Sequence, residues 1–168
     1  MLVDTVTGIP AQLFSPQQTI PGYRFPFLYQ NRIIVGGRAA NNAGNRLDYS
    51  ATGAPDVWNG EDSSDQGKEI LVGDEEELLA GVELLDQYSS LSGRLFQSIA
   101  VLLKRRQTWM LRGATPETFT LFPVSLTIGC PCPLTLAVAA VTNNPTTLEQ
   151  KTVAMWISAV GPMMFDGA

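Results

Sequence analysis

Three stretches of the sequence share one pattern: an apolar run, a short corner and a second apolar run. The clearest occupies residues 98–113, where the corner consists of Lys104, Arg105 and Arg106. The same pattern recurs in residues 25–35 and 153–165. Short apolar runs bounded by polar or glycine punctuation are typical of β-strands, and such corners are typical of turns. The sequence therefore predicts three β-hairpins, which indicates a repeated sheet unit.

Length and composition favour one all-β domain. A chain of 168 residues can bury about 70% of the surface exposed by its unfolded form, which is enough for one core. The apolar content of 45% with 16% charged residues argues against disorder. Fifteen glycines and eleven prolines suit many short strands and turns. We expect residues 1–22 to form an extended arm and residues 23–168 to form the β domain.

Charge and residue types weaken several functional classes. The net charge of -5 gives no basic face for wrapping nucleic acid, although an acidic chain can line a passage through which DNA slides. The chain contains no histidine, so it lacks the commonest general base and metal ligand. We therefore expect no enzymatic activity, no catalytic residue, no cofactor and no metal site.

The remaining candidate ligands have simpler interpretations. Cys130 and Cys132 flank a proline, a spacing that disfavours a disulfide, so we expect reduced structural thiols in a chain made in the cytosol. Residues 56–65 hold several acidic and amide side chains, but they lack the order of a calcium-binding EF-hand loop. Turn formation by Asp and Asn is the favoured interpretation of this segment.

Two segments allow more than one structure. Residues 124–141 are uncharged, but Gly129, Pro131 and Pro133 interrupt them, so we expect strands and no membrane span. Residues 74–91 begin with acidic side chains and continue with an amphipathic apolar spacing, which favours a short helix. Gly81 lies within that pattern, and a strand remains the alternative.

The order of several motifs resembles the β-propeller proteins of short-tailed phage tails, which include packaged-DNA stabilisation proteins and tail nozzle or hub proteins. Each motif alone is weak, and together they extend from about Tyr23 to the C-terminus. The matching residues are Asn31-Arg32, Tyr49-Ser50, Pro55 to Trp58, Lys104 through Trp109 with Leu111 and Gly113, Ile128 to Pro133, and Gly161 to Gly167.

The resemblance implies propeller-like blades of antiparallel strands. Its repeat length would give this chain three to four blades, whereas a closed propeller has roughly four to eight. The ring would then be incomplete in one chain. A terminal hairpin ending in Met163, Met164 and Phe165 also implies a partner surface.

The expected function is that of a non-enzymatic virion protein in the tail or head-tail connector. It would assemble in the host cytoplasm with other virion proteins as a homo-oligomeric ring, and help retain the packaged genome. Lys104, Arg105 and Arg106 are candidates for non-specific contact with DNA or a partner, although such corners are more often merely solvated. The expected anchors between sheets are Trp58, Trp109 and Trp156.

Two other functions remain open at this stage. A propeller glycosidase of a tailspike needs two carboxylates about 5 to 9.5 Å apart, for which Asp56, Asp62 or Glu83 are candidates. Nothing in their sequence spacing forces them together. A free-standing propeller-like interaction module is the second alternative, and a monomeric protein in solution would favour it.

Overall fold

The computed structural model describes residues 22–38, 44–58, 70–90, 93–144 and 149–167. These residues form three antiparallel β-sheets that follow one another along the chain. The predicted all-β class is confirmed. The predicted arm, residues 1–22, lies outside the described residues except for Gly22.

Sheet 1 has five strands, in the order β1-β2-β3-β4, with β5 also paired to β3. Leu47 and Tyr49 of β3 lie on one face, as their alternation with Asp48 predicts, and both are buried in the core. The strands of this sheet are β1 (Phe25–Tyr29), β2 (Arg32–Gly36), β3 (Arg46–Ala51), β4 (Ala54–Trp58) and β5 (Ile70–Leu71).

Sheets 2 and 3 are meanders, in which each strand pairs with the next along the chain. Sheet 2 contains β6 (Leu78–Ser90), β7 (Gly93–Lys104), β8 (Thr108–Arg112) and β9 (Thr120–Ser125). Sheet 3 contains β10 (Ala137–Asn144), β11 (Glu149–Ser158) and β12 (Gly161–Phe165). Short 3-10 helices at Pro116–Thr118 and Pro133–Thr135 lie in the connections.

Strand β7 of sheet 2 is buried on both faces. Ala100 and Leu102 of β7 belong to a core shared with sheet 1, whereas Ile99, Val101 and Leu103 belong to a core shared with sheet 3. Successive residues of a strand point to opposite faces, so a strand between two apolar layers needs apolar residues at every position. This placement explains the unbroken apolar run that the sequence presents before Lys104.

All three predicted hairpins form, one in each sheet. The first turns through Gln30 and Asn31, whose φ angles of 49° and 62° fit a two-residue turn matched to the strand twist. The corner of the third hairpin differs from the prediction. Its turn lies at Ala159 and Val160, while Gly161 and Pro162 already pair with β11.

The predicted helix in residues 74–91 is wrong. Residues 74–76 lie in a bend, and residues 78–90 form strand β6, which is paired with β7. The apolar positions therefore serve two faces. Leu78 lies in the core with sheet 1, while Ala80 and Leu84 lie in the core with sheet 3. Gly81 sits against Phe25 and Phe27, where a side chain would collide with their rings.

The three stacked sheets are consistent with blades of an incomplete propeller. The uncharged window at 124–141 is divided among the end of β9, the second 3-10 helix and β10, as its glycine and prolines predict. Within the described ranges, no helix has the length and apolar character needed to cross a membrane.

Candidate interaction surfaces

The basic corner, defined by Lys104, Arg105 and Arg106, joins β7 to β8 and is held mainly by the side chain of Lys104. This side chain is fully buried, with 0% exposure, which differs from the solvated position expected of it. Its Nζ donates to the backbone carbonyl of Asp74 at 2.7 Å and to the Asp74 Oδ1 at 2.8 Å. Burial of an ammonium is tolerated when it is paired and hydrogen-bonded. Lys104 therefore makes its contacts with Asp74 of the same chain.

Asp74 begins the acidic loop, defined here as residues 74–77. Its second carboxylate oxygen accepts from the Gln107 amide at 2.6 Å. The hydrogen bond from Lys104 lowers the pKa of Asp74 below its ordinary value of 3.8; partial burial opposes this, and the bond from Gln107 adds to it. The Asp74 carboxylate therefore stays ionised at neutral pH and holds the corner in place.

Two other acidic side chains of this loop, Glu76 and Glu77, also meet cations. Arg106 lies 3.5 Å from Glu76, and Arg24 lies 2.7 Å from Glu77. Arg106 is nevertheless 81% exposed, and Arg105 is exposed as well. The corner thus presents two arginines to solvent rather than three cations. The prediction that they contact DNA or a partner stays a prediction.

The segment that contains the two cysteines packs against the basic corner. The Cys130 N–H donates to the Lys104 carbonyl at 2.8 Å, and Gly129 packs so closely that a side chain there would collide with the same carbonyl. The two thiols are free, with Cys130 buried and Cys132 exposed. The Cys130 thiol lies 3.1 Å from the Cys132 carbonyl. Among the described residues, no cluster of His, Cys, Asp and Glu could hold a metal ion.

Two of the three tryptophans lie between sheets. Trp109 packs on the core between sheets 1 and 2, against Gly73, and its indole donates to Gln107 at 2.9 Å. Trp156 is buried in the core between sheets 2 and 3, and its indole donates to the Gly129 carbonyl at 3.1 Å. Trp58 is half-buried in β4, and its buried indole N–H has no hydrogen-bond partner among the described residues.

Of the candidate glycosidase acids, only Glu83 has a described side chain. Its carboxylate accepts from the Ser98 hydroxyl and from the Gln30 N–H. Asp62 lies outside the described residues, as does the side chain of Asp56. Glu83 is therefore engaged in contacts between sheets, and the structure brings no second candidate acid beside it among the described side chains.

Tyr29 lies near this carboxylate and joins sheet 1 to sheet 2. Its hydroxyl donates to the Gly113 carbonyl at 2.9 Å and lies 3.2 Å from the Ser98 carbonyl. Burial, with a smaller contribution from the Glu83 charge, raises the pKa of Tyr29 to about 12, while the nearby Arg112 opposes the shift. The tyrosine is therefore a neutral hydrogen-bond donor between two sheets.

The outer face of sheet 3 is apolar. Met155, Ile157 and Met164, which we call the outer patch, are 39%, 46% and 66% exposed. Met155 and Met164 are opposite each other across β11 and β12, and Ile157 lies two residues further along the same face. The sequence from 153 to 165 contains no charged residue.

The outer face of sheet 1 carries a groove of about 250 Å³. Leu28 and Ile33 are paired across β1 and β2, on the face opposite the residues that pack against sheet 2. Ala54 and Pro55 contribute further apolar lining. Arg32 also lines the groove, is 4% exposed, and donates from Nη1 to the Ser50 carbonyl at 3.0 Å. Asn31 and Ser50 line it too, so the groove has both apolar and polar walls.

Sequence reasoning missed both the groove and the pairing of Lys104 with Asp74. The groove is lined by residues of β1, β2, β3 and β4, so no local sequence pattern predicts it. The pairing joins residues 30 positions apart, although the acidic run at 74–77 and the basic run at 104–106 are both visible in the sequence.

The comparisons with known proteins identify no relative. The chain matches no protein-family model, no curated protein and no solved structure. The resemblance to phage tail propellers therefore stays a prediction.

Proposed function

We propose that this protein is a non-enzymatic structural subunit of a phage virion, in the tail nozzle or hub or in the head-tail connector. There it helps form the DNA passage and retain the packaged genome. The observation that carries the proposal is the stack of three sheets that ends on an apolar face. The motif order described above supplies the assignment to a virion.

The stack supports a role in assembly because three sheets fall short of the roughly four to eight blades that close a propeller. A stack that does not close leaves two terminal faces. At one of them Met164 is 66% exposed, and at the other Leu28 is 64% exposed. Neighbouring subunits would cover these faces and complete the architecture.

The charge distribution supports a passage wall rather than a DNA clamp. Affinity for DNA grows with the number of phosphates that lysine and arginine neutralise. The chain carries a net charge of -5, and Lys104 is held by Asp74. A wall with few free cations lets DNA pass without binding it tightly.

The proposal is tested on particles. Antibodies raised against the chain should label purified virions at the tail or connector, and particles lacking the protein should lose their DNA. The mass of the labelled band distinguishes a short subunit near 18.2 kDa from a piece of a longer propeller. Absence of the protein from purified particles would contradict the proposal, and an antibody against a known capsid protein is the control.

A further inference from the structure

We propose that residues 2–9 of the chain form a strand that pairs with the free edge of β10 and gives sheet 3 a fourth strand. Sheet 3 has three strands, whereas sheet 2 has four and sheet 1 has five. Strand β10 lies at one end of its sheet, and no strand of the described ranges pairs with its other side. The inference concerns how one chain completes its own sheet, so it does not depend on the proposed role in a virion.

Strand β10 differs from the other edge strands because nothing in its sequence prevents pairing. Exposed strand edges readily accept another strand, and natural proteins prevent this with proline, charge or very short edge strands. The eight residues of β10, Ala137–Asn144, contain neither proline nor charge. The edge strands β1, β4, β9 and β12 each contain a proline, at Pro26, Pro55, Pro123 and Pro162. The composition of β10 is therefore that of a strand with neighbours on both sides.

The two remaining edges, those of β5 and β6, are protected in other ways. Strand β5 has only two residues. At the edge of β6, the Leu85 N–H donates to the Thr152 hydroxyl at 2.6 Å, and the hydroxyl lies 3.2 Å from the Leu85 carbonyl, to which it donates. Within the described ranges, β10 is therefore the one long edge that has no proline, no charge and no partner.

The backbone of β10 presents the N–H groups of Val138 and Ala140 to this free edge. In an antiparallel pair, successive residues alternate in the direction of their N–H and C=O groups. The Ile157 N–H points to the β10 side of β11, because it donates at 3.1 Å to Thr135, which lies just before β10. The β11 residues opposite Val138 and Ala140 lie an odd number of positions from Ile157, so they point to β12. Val138 and Ala140 therefore direct their N–H and C=O groups away from β11.

The sequence identifies residues 2–9 as the strand that fits this edge. Residues 1–21 lie outside the described ranges, so composition guides the choice. Residues 2–9, LVDTVTGI, contain five β-branched residues and no proline, which is typical of a strand. Prolines at positions 10, 16 and 21 interrupt the residues that follow. The other long stretch outside the description, residues 59–69, is rich in acidic residues and glycine, which are depleted in strands.

Residues 10–21 are long enough to carry this strand from sheet 1 to sheet 3 of the same molecule. Strand β1 packs against β6, β6 packs against β11, and β11 pairs with β10. Two packed layers about 10 Å apart and one strand spacing of about 5 Å therefore separate β1 from β10. An extended segment of the length of residues 10–21 spans up to about 40 Å, which exceeds that separation.

Amide hydrogen exchange, measured residue by residue by NMR on the full chain, tests the pairing. The Val138 and Ala140 N–H groups should be protected, as is that of Ala139, which faces β11. Val6→Pro removes a backbone donor from the proposed strand. In that variant Val138 and Ala140 should exchange at least about tenfold faster, while Ala139 keeps its protection. Gln12→Pro, in the connecting residues, is the matched control and should exchange like the unmodified chain.

Three results would overturn the inference. Fast exchange at Val138 and Ala140 in the unmodified chain would show that the edge of β10 is open. Slow exchange that survives in Val6→Pro would show that another segment covers it. Protection that is lost on dilution would assign the edge to a second copy instead of the chain's own residues 2–9. None of these results concerns the presence of the protein in virions, so the proposed function is tested separately.

Discussion

The sequence offers two contact surfaces, the basic corner and the terminal residues 163–165, and the fold treats them differently. Of the terminal residues only Met164 belongs to the outer patch, because Met163 and Phe165 pack on the core between sheets 2 and 3. At the corner, Lys104 is fully buried and paired with Asp74, and Arg106 lies near Glu76. At the patch, Met164 and Ile157 remain exposed. The acidic loop supplies the corner with partners from the same chain, whereas no described element lies over the patch.

This difference shows that an exposed apolar sheet face is stronger evidence for a protein partner than a charged corner is. Charged side chains can pair with opposite charges of their own chain or stay hydrated, so an exposed charged corner is weak evidence for a binding partner. Apolar side chains on a sheet gain only by contact with another apolar surface. We therefore give more weight to the patch than to the corner.

The largest expected effect separates the inner face of sheet 3 from its outer face. Trp156→Ala should lower the free energy of unfolding by about 3–5 kcal/mol, because it removes a buried indole and leaves a cavity. Ile157→Ala, one residue along the same strand, should change it by less than about 0.5 kcal/mol. Urea unfolding at a concentration where the chain is monomeric measures both.

Equal losses for the two variants would break the comparison, because they would mean that Ile157 is covered within one chain. Trp156→Phe serves as the control for the indole hydrogen bond to Gly129, and it should lose less than the alanine variant.

The next effect concerns the link between sheets 1 and 2 at alkaline pH. The unfolded tyrosine ionises near pH 10 and folded Tyr29 near 12, so the folded state binds the proton more tightly. Stability from this group is complete below pH 10 and decreases as the pH rises to 12, by up to about 2–3 kcal/mol. Chemical unfolding measured at several pH values from 9 to 12 tests this.

Tyr29→Phe provides the matched variant for that series. It should be less stable at neutral pH because the bond to Gly113 is lost, and its stability should fall less steeply above pH 10. A slope identical to that of the unmodified chain would show that other groups cause the alkaline loss.

A smaller effect is expected at the corner. Asp74→Asn leaves the buried Lys104 ammonium without its counter-charge and should destabilise the fold by about 1–3 kcal/mol, less than a fully buried pair because Asp74 is 57% exposed. Glu75→Gln, an exposed neutral control in the same loop, should have little effect. Urea unfolding at pH 7 measures both.

Acid should reproduce this loss in the unmodified chain. Since the pKa of Asp74 is lowered in the folded state, its contribution is complete above the unfolded value of 3.8 and is lost as the pH falls through the lower folded value. Asp74→Asn should lack that part of the acid dependence. If Asp74→Asn and the unmodified chain lose stability equally in acid, Asp74 does not contribute to the acid dependence.

The smallest effect concerns DNA. If the corner contacts phosphates, Arg105→Ala with Arg106→Ala should reduce the slope of log binding constant against log salt by about 2, near 0.9 per phosphate contact. Lys104→Met should leave that slope unchanged because Lys104 is buried. Fluorescence anisotropy with a duplex at several salt concentrations measures the slopes. A change with Lys104→Met would show that the ion pair with Asp74 opens.

The sequence by itself determined the strands and hairpins, since a period of two and a turn are local properties. Residues 25–35, 98–113 and 153–165 each became a hairpin. Residues 74–91 show the limit of that logic, because a strand that serves two faces carries apolar residues at helical spacings as well. Pairing with β7 decided the outcome there.

Only the tertiary structure decided which residues are buried or paired within the chain and which remain exposed. Lys104 and Arg105 are adjacent and both positively charged, yet Lys104 is buried against Asp74 and Arg105 is exposed. Trp156 and Ile157 likewise separate into core and surface. The reason is that burial depends on which sheet packs against which face, and those contacts join residues tens of positions apart that no local pattern relates.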